Sequence, residues 1–495
     1  MNYVSTRDAR LTNESVSAAC AIKRGLAING GLYMPHRIPR LEEGELASFL
    51  PLSYEALAAR VIGKYLTGFT EEELLSYAKA AYSPVRFPDG AVVLSPEIEG
   101  QTFIELWHGP TCAFKDMALQ LMPRLLAASL KKTAEHRTAV ILVATSGDTG
   151  KAALEGFSDV EGVKIQVFYP KGGVSRVQEL QMVTQEGGNV KVSAVEGNFD
   201  TAQTELKRIF IDRDFAKTVK ESNAILTSAN SINFGRLVPQ IVYYADSYLE
   251  LVRRGRISLG SPVDVCVPTG NFGNILAAYM AKRMGVPFRR FICASNQNNV
   301  LTDFIRTGHY TKKRDFHLTI SPSMDILVSS NLERLLYLIA GDEKVRLWMR
   351  ALRETGEYTV DPGTLQALQK EFVGYYCTEA DTKATIKRYF DSFDYLMDTH
   401  TAVAANCADQ YRQERGGDLP ILTASTASPF KFAAAVYEAL TGEHTGDALL
   451  ALDLLASRTG RAIPAPLAAC TKKPVRFSET VTPEGMRPSI ADFIR

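Results

Sequence analysis

The sequence predicts an α/β protein in which parallel sheets are flanked by helices on both faces. From Val92 onward, short runs of β-branched and apolar residues alternate with segments whose apolar residues recur at helical spacing. This alternation is typical of parallel strands joined by crossover helices. Glycine-rich turns follow two of the apolar runs directly, so candidate binding loops lie where predicted strands end and helices begin.

The elements can be assigned in order along the chain. Helical spacing of apolar residues at Glu55–Leu66 and Glu71–Tyr82 predicts a helical N-terminal region over residues 1–90. The predicted strands are Thr138–Ala144, Val163–Tyr169, Val190–Val195, Val263–Val267, Phe291–Ala294 and Leu419–Thr423. The predicted helices are Met117–Leu130, before the first of these strands, and Thr149–Phe157, Asp200–Phe210 and Asn274–Met284 between them. Pro123 lies inside the first of these helices and should kink it.

The alternation also suggests a division into domains. We expect residues 91–135 and 251–495 to form a large domain, with a charged helical insertion at 312–390. Residues 136–250 should form a smaller, mobile domain. These boundaries are weakly marked, since the sequence contains no clear linker, no low-complexity tract and no repeat.

The composition excludes several classes of protein. The 495 residues include 56 Lys and Arg against 55 Asp and Glu, so net charge favours neither nucleic acid nor a membrane surface as partner. No segment approaches the ~20 consecutive apolar residues that span a bilayer. The seven cysteines form no Cys-x-x-Cys pair and the seven histidines show no metal-ligand spacing. We therefore expect a reduced, cytoplasmic protein without a metal.

Lys115 is the strongest candidate for a catalytic residue. It follows a Gly109-Pro110-Thr111 turn, starts a predicted helix, and has Trp107 and Phe114 as apolar neighbours. A helix N-terminus and apolar surroundings both lower the pKa of an amine. A partly deprotonated lysine on a fixed turn can form a Schiff base with an aldehyde. The alternative, a solvated lysine at the start of a helix, does not require this apolar setting.

Two glycine-rich turns predict anion sites. Residues 269–274 (TGNFGN) follow a predicted strand, and their glycines allow backbone N–H groups to approach a phosphate at a helix N-terminus. Residues 145–150 (TSGDTG) could hold a carboxylate in the same way. The alternatives are an ordinary strand–helix turn and an N-cap by Asp148 or Thr149. One such lysine with two anion sites predicts pyridoxal phosphate, an aldehyde that carries a phosphate.

Two further clusters are rich in polar side chains. Residues 226–236 hold donors suited to a phosphate ester, namely Asn230, Ser231, Asn233 and Arg236. The predicted strand before residue 425 ends in Ser425 and Thr426, whose hydroxyls could face a pyridine nitrogen. Polar turns and a hydroxyl-rich strand end are the alternatives. For His400, beside Asp398, the sequence gives no role.

These motifs, taken in order, resemble the threonine synthase family in its longer bacterial and fungal form. The matching strings include STR at 5–7, GLAINGGLYMP at 25–35, HGPTCAFKD at 108–116, ATSGDTG at 144–150, SANSINFGR at 228–236, PTGNFGN at 268–274 and STASPFKF at 425–432. The resemblance implies a fold type II pyridoxal-phosphate enzyme, similar to the tryptophan synthase β-subunit. It also implies conversion of O-phospho-L-homoserine and water into L-threonine and phosphate.

The resemblance implies a role for each matching residue. Lys115 would form the Schiff base, and Thr426 or Ser425 would meet the pyridine nitrogen. The cofactor phosphate would be bound by Gly270, Asn271, Phe272, Gly273 and Asn274. The substrate would be bound by Thr145, Ser146, Gly147, Asp148 and Thr149 on its carboxylate side, and by Asn230, Ser231, Asn233 and Arg236 on its phosphate side.

The sequence departs from the family pattern at several positions. Ser428 replaces the histidine of TAHPAKF, and Thr399 and Ala404 replace the proline and glycine of DPHTAVG. Asp148 stands where many fold type II relatives carry an asparagine that donates to the cofactor O3′, so that partner is left open. An amino-acid dehydratase, a β-replacement synthase, a phospho-lyase releasing a 2-keto acid and a catalytically inactive relative are the alternatives. A monomer and a homodimer are both compatible with the sequence.

Overall fold

The computed structural model describes residues 1–7 and 15–495, so residues 8–14 of the predicted N-terminal region lie outside the described chain. The strands of the described chain are β1 (Asn2–Ser5), β2 (Val16–Ser17), β3 (Tyr33–Pro35), β4 (Val93–Ile98), β5 (Gln101–Glu105), β6 (Thr138–Ala144), β7 (Val163–Pro170), β8 (Val190–Val195), β9 (Ala224–Thr227), β10 (Val263–Pro268), β11 (Phe288–Ser295), β12 (His309–Thr311), β13 (Glu357–Thr359), β14 (Phe372–Tyr376), β15 (Ile421–Ser425) and β16 (Thr480–Val481).

The helices of the described chain surround these strands. They are α1 (Ala18–Arg24), α2 (Glu45–Ser48), α3 (Tyr54–Tyr65), α4 (Glu71–Ala81), α5 (Lys115–Leu119), α6 (Met122–Lys132), α7 (Asp148–Phe157), α8 (Arg176–Val183), α9 (Phe199–Ile211), α10 (Arg213–Glu221), α11 (Phe234–Arg253), α12 (Gly273–Met284), α13 (Val300–Thr307), α14 (Leu332–Ala340), α15 (Asp342–Glu354), α16 (Pro362–Glu371), α17 (Glu379–Phe393), α18 (Thr399–Arg415), α19 (Ala433–Thr441), α20 (Leu450–Thr459), α21 (Ala465–Cys470) and α22 (Met486–Ile494). Two short 3₁₀ turns lie at Pro322–Met324 and Pro429–Phe432.

Two parallel sheets carry the fold and confirm the predicted α/β class. The large sheet has the order β14-β11-β10-β15-β5-β4, and only β4 runs antiparallel to its neighbour. The small sheet has the order β16-β8-β7-β6-β9 and is parallel throughout. Their central strands are buried on both faces, which is why β6 is apolar throughout after Thr138 and β10 is interrupted only by the buried Asp264.

The carboxyl ends of these strands explain where the sequence motifs meet. In the large sheet, β5, β10 and β15 are parallel neighbours, and residues 106–115, 269–274 and 426–428 follow them. In the small sheet, β6 and β9 are parallel neighbours, and residues 145–150 and 228–236 follow them. Ligands of open α/β sheets bind beyond the carboxyl ends of parallel strands. All five predicted motifs therefore lie at the ligand-binding edge of one of the two sheets.

Three predicted boundaries differ from the structure. Strand β16 and helix α22 join the small sheet, so the chain after residue 480 does not belong with the predicted 251–495 domain. Helix α11 packs on α3, α5 and α12, outside the small body predicted for residues 136–250. The predicted helical insertion at 312–390 contains β14, which extends the edge of the large sheet.

The predicted helix Met117–Leu130 is also different. It is divided into α5 and α6, which are separated at Gln120 and Leu121. Pro123 occupies the first turn of α6, where its missing N–H would have no partner within the helix. The proline therefore starts a second helix instead of kinking a single one.

Candidate active site

Lys115 is the first residue of α5 and is almost completely buried, with 9% of its surface exposed. The turn before it is fixed by Asp116, whose carboxylate accepts hydrogen bonds from Thr111 N at 2.8 Å and Thr111 Oγ1 at 2.7 Å. Burial raises the pKa of Asp116 to about 6, against these hydrogen bonds. A Cβ at Gly109 would lie 2.6 Å from the same carboxylate, so only glycine fits there. The turn thus holds the lysine in one position.

Asp148 is the anion beside Lys115. Its Oδ2 lies 3.4 Å from Lys115 Nζ, and its Oδ1 lies 2.7 Å from Lys431 Nζ. Gln178 Nε2 donates to Oδ1 at 3.0 Å. Lys431 comes from the 3₁₀ turn after β15, so Asp148, which follows β6 of the small sheet, is paired with two lysines that follow strands of the large sheet.

These charges set the protonation of the cluster. Burial is the largest influence on the Lys115 amine and lowers its pKa; the charges of Lys431 and Arg236 act in the same direction, and the Asp148 carboxylate opposes them without reversing the shift. Burial alone would raise the pKa of Asp148, but the two lysines hold it well below its ordinary value. The cluster therefore contains an ionised carboxylate beside an amine that loses its proton more readily than usual.

The predicted phosphate loop forms the N-terminus of α12. Phe272 precedes this helix in a left-handed conformation with φ of 62°, and no side chain caps the helix. The first N–H groups of the helix, from Gly273 onward, have no partner within it. The Nδ2 of Asn274 is buried without a hydrogen-bond partner, while its Oδ1 accepts from Tyr243 at 2.7 Å and from Tyr244. The loop thus presents unpaired donors and no carboxylate.

Residues of the predicted insertion donate hydrogen bonds to the backbone of this phosphate loop. Asn331 donates to Asn271 O from its backbone N at 3.0 Å and from Nδ2 at 2.9 Å. Ser329 Oγ donates to Gly270 O at 2.7 Å. A Cβ at Gly270 would lie 2.5 Å from Ser323 O, which explains the glycine. The segment at 321–334 therefore does more than pack, because it fixes the loop geometry.

Arg236 lies at the start of α11 and is 3% exposed. Its Nη1 donates to Ala229 O at 2.6 Å, and its Nε is buried without a partner. Burial lowers the pKa of the guanidinium to about 10, which leaves it charged at neutral pH. No carboxylate among the described residues pairs with it. A buried arginine with unused N–H groups can bind an external anion.

Asn233 behaves differently from the prediction for it. Its Oδ1 caps α11 by accepting from Gly235 N at 2.9 Å, and its Nδ2 donates to Ile22 O at 2.9 Å and Ser228 O at 3.1 Å. Both amide hydrogens are used, so none remains for a substrate phosphate. Its role is to hold the turn that carries Arg236. In the same turn the Oδ1 of Asn230 is buried and unpaired, and Ser231 O accepts from Arg334 at 3.2 Å.

In the loop at 145–150, some residues shape the turn, whereas others are available to a ligand. Thr145 Oγ1 accepts from Gly147 N at 3.0 Å and from Gly150 N at 2.9 Å, so it shapes the turn. Gly147 has a φ of 131°, and a Cβ there would lie 2.5 Å from the Gln178 side chain. Ser146 lines a cavity of about 220 Å³ together with Gln178 and Lys431. Thr149 is half-buried in the first turn of α7.

The two hydroxyls predicted to face the pyridine nitrogen, at the end of β15, have different surroundings. Ser425 Oγ accepts from Trp107 Nε1 at 3.0 Å and lies 3.1 Å from Thr401 Oγ1. Thr426 is buried, and no described group bonds to its hydroxyl. Its backbone carbonyl accepts from Phe114 N at 2.8 Å, directly before Lys115. Thr426 is thus the hydroxyl that is free for a ligand.

His400 and Ser428 are both buried. His400 Nδ1 lies 2.8 Å from Asp398 Oδ1, and its Nε2 accepts from Ser323 N at 3.1 Å, so both ring nitrogens are used within the protein. Ser428 is fully buried beside Cys112, whose carbonyl accepts from its backbone N at 3.0 Å. Among the described residues, no group hydrogen-bonds to the Ser428 hydroxyl. The histidine-to-serine departure therefore leaves an unsatisfied hydroxyl in the interior.

Sequence reasoning did not single out Lys431, Gln178 or Asn331. Each acts on a residue distant along the chain, and no local spacing marks that contact. One signal was present for Lys431, which lies between Phe430 and Phe432 in the apolar segment after the predicted strand Leu419–Thr423. A charge in such a segment is rarely buried unless it is paired. Among the described residues there is no cluster of side chains suited to a metal ion.

Family comparisons cover nearly the whole chain. A family described as "Pyridoxal-phosphate dependent enzyme" matches residues 94–426. "Threonine synthase N terminus" matches residues 2–82, and "Threonine synthase, C-terminal" matches residues 401–486. No helix in the described ranges has the length and apolar character required to cross a bilayer.

Individual proteins are similar over long stretches. Threonine synthase-like 1 of Homo sapiens is 43% identical over 434 residues, which are 85% of this chain but 57% of the relative, so the chain spans little more than half of that protein. Threonine synthase of Pseudomonas aeruginosa is 38% identical and covers 90% of this chain and 91% of its own length.

Solved structures agree in fold over the full chain. The pyridoxal-phosphate-bound threonine synthase from Brucella melitensis has a TM-score of 0.85 at 33% identity and covers 100% of both chains. Threonine synthase from yeast has a TM-score of 0.88 at 32% identity, covering 100% of this chain and 98% of its own. Both the predicted resemblance and the fold type II class are therefore confirmed. The chain belongs to the threonine synthase family of pyridoxal-phosphate-dependent enzymes.

Proposed function

We propose that this chain is a threonine synthase that converts O-phospho-L-homoserine and water into L-threonine and phosphate. The observation that carries the proposal is that Arg236, a buried guanidinium whose Nε has no partner among the described residues, acts on the lowered pKa of the Lys115 amine. A substrate that reacts at Lys115 can therefore place a phosphate group on Arg236. The similarity to bacterial and yeast threonine synthases supports the same reaction.

The residues fit pyridoxal phosphate. The uncapped N-terminus of α12 and the unpaired Asn274 Nδ2 suit its phosphate, and the free Thr426 hydroxyl suits its ring nitrogen. Lys115 would hold its aldehyde carbon. When bound, the cofactor supplies an electron-withdrawing ring that makes the substrate's Cα–H acidic.

Lys115 would also move the protons of the reaction. Its lowered pKa favours a neutral amine, which can accept a proton from the substrate's Cα. The rigid Asp116 turn keeps Nζ in one place, which reduces the entropic cost of each transfer. The Asp148 carboxylate at 3.4 Å would then stabilise the ammonium that forms.

Arg236 would act on the other end of the substrate. Its unpaired Nε and its charge suit a phosphate group whose negative charge grows as the C–O bond breaks. Asn233 would support this role indirectly, since it caps the helix that carries Arg236. The ion pairs of Asp148 would hold the predicted mobile small body against the large one and exclude water from the site.

A phospho-lyase that releases a 2-keto acid is the second candidate. Ser428 favours it, because the threonine synthase pattern has a histidine at this position and the serine hydroxyl is buried without a partner. If that histidine assists the addition of water at Cβ, its loss would let what remains after phosphate release be hydrolysed to a 2-keto acid and ammonia instead.

The test is product analysis with purified protein, pyridoxal phosphate and O-phospho-L-homoserine, beside a Lys115→Ala variant. Equal amounts of phosphate and threonine, absent with the variant, are expected. Phosphate with 2-oxobutyrate and no threonine would establish the phospho-lyase. No phosphate release from a cofactor-loaded protein would exclude both candidates.

Two broader expectations stay predictions. A cytoplasmic location is supported by seven free cysteines in the described chain, six of them buried. The choice between a monomer and a homodimer would be decided by sedimentation of the holoenzyme.

A further inference from the structure

A groove of about 890 Å³ lies between the N-terminal region and the large body, away from Lys115. One wall is the segment after β3, from Pro35 to Arg40, and the other is formed by the ends of α12 and α14. Its cationic side chains are Arg37, Arg40, Lys64 and Arg283, and His36 also lines it. Among the described residues that line the groove, Asp342 is the single carboxylate. The groove therefore has a clear excess of positive charge.

Two of these cations have no partner. Among the described residues, neither Arg37 nor Arg40 makes a hydrogen bond or ion pair, although both line the same concave surface. By contrast, Lys64 pairs with Glu45 at 2.6 Å, and Arg283 donates to Tyr279 OH at 3.1 Å. Planar guanidinium groups with unused N–H donors bind phosphate and carboxylate groups in a bidentate manner.

The same groove offers an apolar surface. Ile38 and Pro39 lie between the two unpaired arginines in sequence, and Tyr337 and Leu338 face them from the end of α14. All four are partly buried. An occupant with a charged part and a flat or apolar part would contact both kinds of wall. The volume suits a small molecule, since ligand pockets commonly measure ~300–1,000 Å³.

We propose that this groove is a binding site for a phosphate-bearing small anion of nucleotide size, held by Arg37 and Arg40 and separate from the active site. Its position gives it a connection to catalysis. Arg334, one turn before the groove residues of α14, is fully buried and donates to Tyr33 O at 3.1 Å in the strand that leads into the opposite wall.

Arg334 also contacts both loops of the active site. Its Nη2 donates to Ile232 O at 2.6 Å in the turn that carries Arg236. Its Nη1 donates to Asn331 Oδ1, and Asn331 fixes the cofactor phosphate loop. One rigid arginine thus joins the two groove walls to the two anion-binding loops. An anion that draws the walls together should change cofactor affinity, and by reciprocity the cofactor should change the affinity of the anion by the same factor.

The test uses the holoenzyme and calorimetric titration with inorganic pyrophosphate, ATP and citrate. We expect ATP to bind more tightly than pyrophosphate, because only ATP reaches the apolar wall, and citrate to bind weakly. Arg37→Ala/Arg40→Ala should lower the affinity for ATP by about tenfold or more. The matched control is Arg346→Ala/Arg353→Ala, which removes two exposed arginines of α15 that do not line the groove.

Each outcome decides the proposal. Unchanged ATP binding in the Arg37→Ala/Arg40→Ala variant would assign the anion to the active site and overturn the inference, as would no binding at millimolar ATP. The connection through Arg334 is tested by titrating apoprotein with pyridoxal phosphate, with and without ATP. An affinity for the cofactor that ATP alters in wild type but not in the double variant is expected. An equal effect in both would overturn the connection.

Discussion

The loops at 145–150 and 269–274 share one local design, a buried parallel strand, a glycine-rich turn and a helix, yet they meet opposite electrostatic conditions. The helix after 269–274 begins with Gly273 and Asn274 and has no cap, so its N-terminal donors are available. The helix after 145–150 begins with Asp148, an internal anion already paired with two lysines. The first residues of the helix, more than the glycines, decide whether such a turn accepts an external anion.

The largest expected effect follows from removing Lys431, the cation that pairs with the buried Asp148 carboxylate. Lys431→Met leaves Asp148 with only the more distant Lys115 as counter-ion, so the variant should lose about 3–5 kcal/mol of unfolding free energy. Urea denaturation would measure it. The control is Lys383→Met, which breaks the partly exposed pair with Glu438 and should cost less than about 1 kcal/mol. Equal losses of unfolding free energy would mean that the buried Asp148–Lys431 pair stabilises the protein no more than the partly exposed Lys383–Glu438 pair.

The second prediction concerns a carboxylate at the start of α12, in the place that Asp148 occupies at the start of α7. Asn274→Asp introduces a carboxylate beside the donors of α12 and should weaken binding of pyridoxal phosphate by about 1.5–3 kcal/mol, which corresponds to roughly tenfold to a hundredfold. Titration of apoprotein, followed by absorbance, would measure it. Asn274→Ala removes the unpaired Nδ2 without adding charge and should lose less. If both variants lose the same affinity for pyridoxal phosphate, a negative charge at the helix start is not what distinguishes the two loops.

The third prediction concerns the glycines of the phosphate loop. Gly270→Ala should destabilise the protein by about 1–3 kcal/mol, because the new Cβ would lie 2.5 Å from Ser323 O and the loop or its support must shift. Gly273→Ala is the matched control, since its Cβ meets nothing nearer than 3.5 Å. Thermal unfolding of both variants would compare them. A smaller loss for Gly270→Ala than for Gly273→Ala would contradict the proposed support by residues 321–334.

The smallest expected effect lies at the edge of β5. His108 stacks on Trp107, with ring centroids 4.2 Å apart, and its two ring nitrogens lie within hydrogen-bond distance of Glu105 and Asp89. Burial alone would lower the pKa of His108, but the two carboxylates outweigh it and raise the pKa.

The sign of the pH dependence follows from this raised pKa. The stabilising contribution of the His108 charge is complete below the ordinary pKa of histidine and is lost as pH rises through the higher folded value. His108→Gln should therefore cost about 1 kcal/mol more at pH 6 than at pH 9. Urea unfolding at both pH values would measure the difference, and a cost independent of pH would show that the imidazole acts only by packing.

The parts predictable from sequence are those with a local signal. The strands at β6, β8 and β10 match the predicted runs closely, because buried β-branched and apolar residues recur along each of them. The loops at 145–150 and 269–274 lie at the predicted strand ends for the same reason. Strand β9 and the edge strand β14 were not predicted, since each is short and forms only where a neighbouring strand provides partners.

The parts that were missed depend on contacts between distant residues. The Asp148–Lys431 pair joins positions on different sheets, and nothing near Asp148 indicates that its partner lies after β15. Asn233 was predicted to bind phosphate because its amide is a suitable donor. The structure uses both of its hydrogens on backbone carbonyls, a choice set by tertiary packing. Side-chain chemistry identified the candidates, and only the fold showed which donors were free.

The position of β16 and α22 on the small sheet has a consequence for synthesis of the chain. The apolar face that includes Phe215 and Val219 is covered by Met486, Ile490 and Ile494, which are translated long after it. Until α22 has been synthesised this face lacks its cover, although the strands beneath it already exist. The nascent protein therefore presents a hydrophobic surface that chaperones can recognise until α22 has left the ribosome.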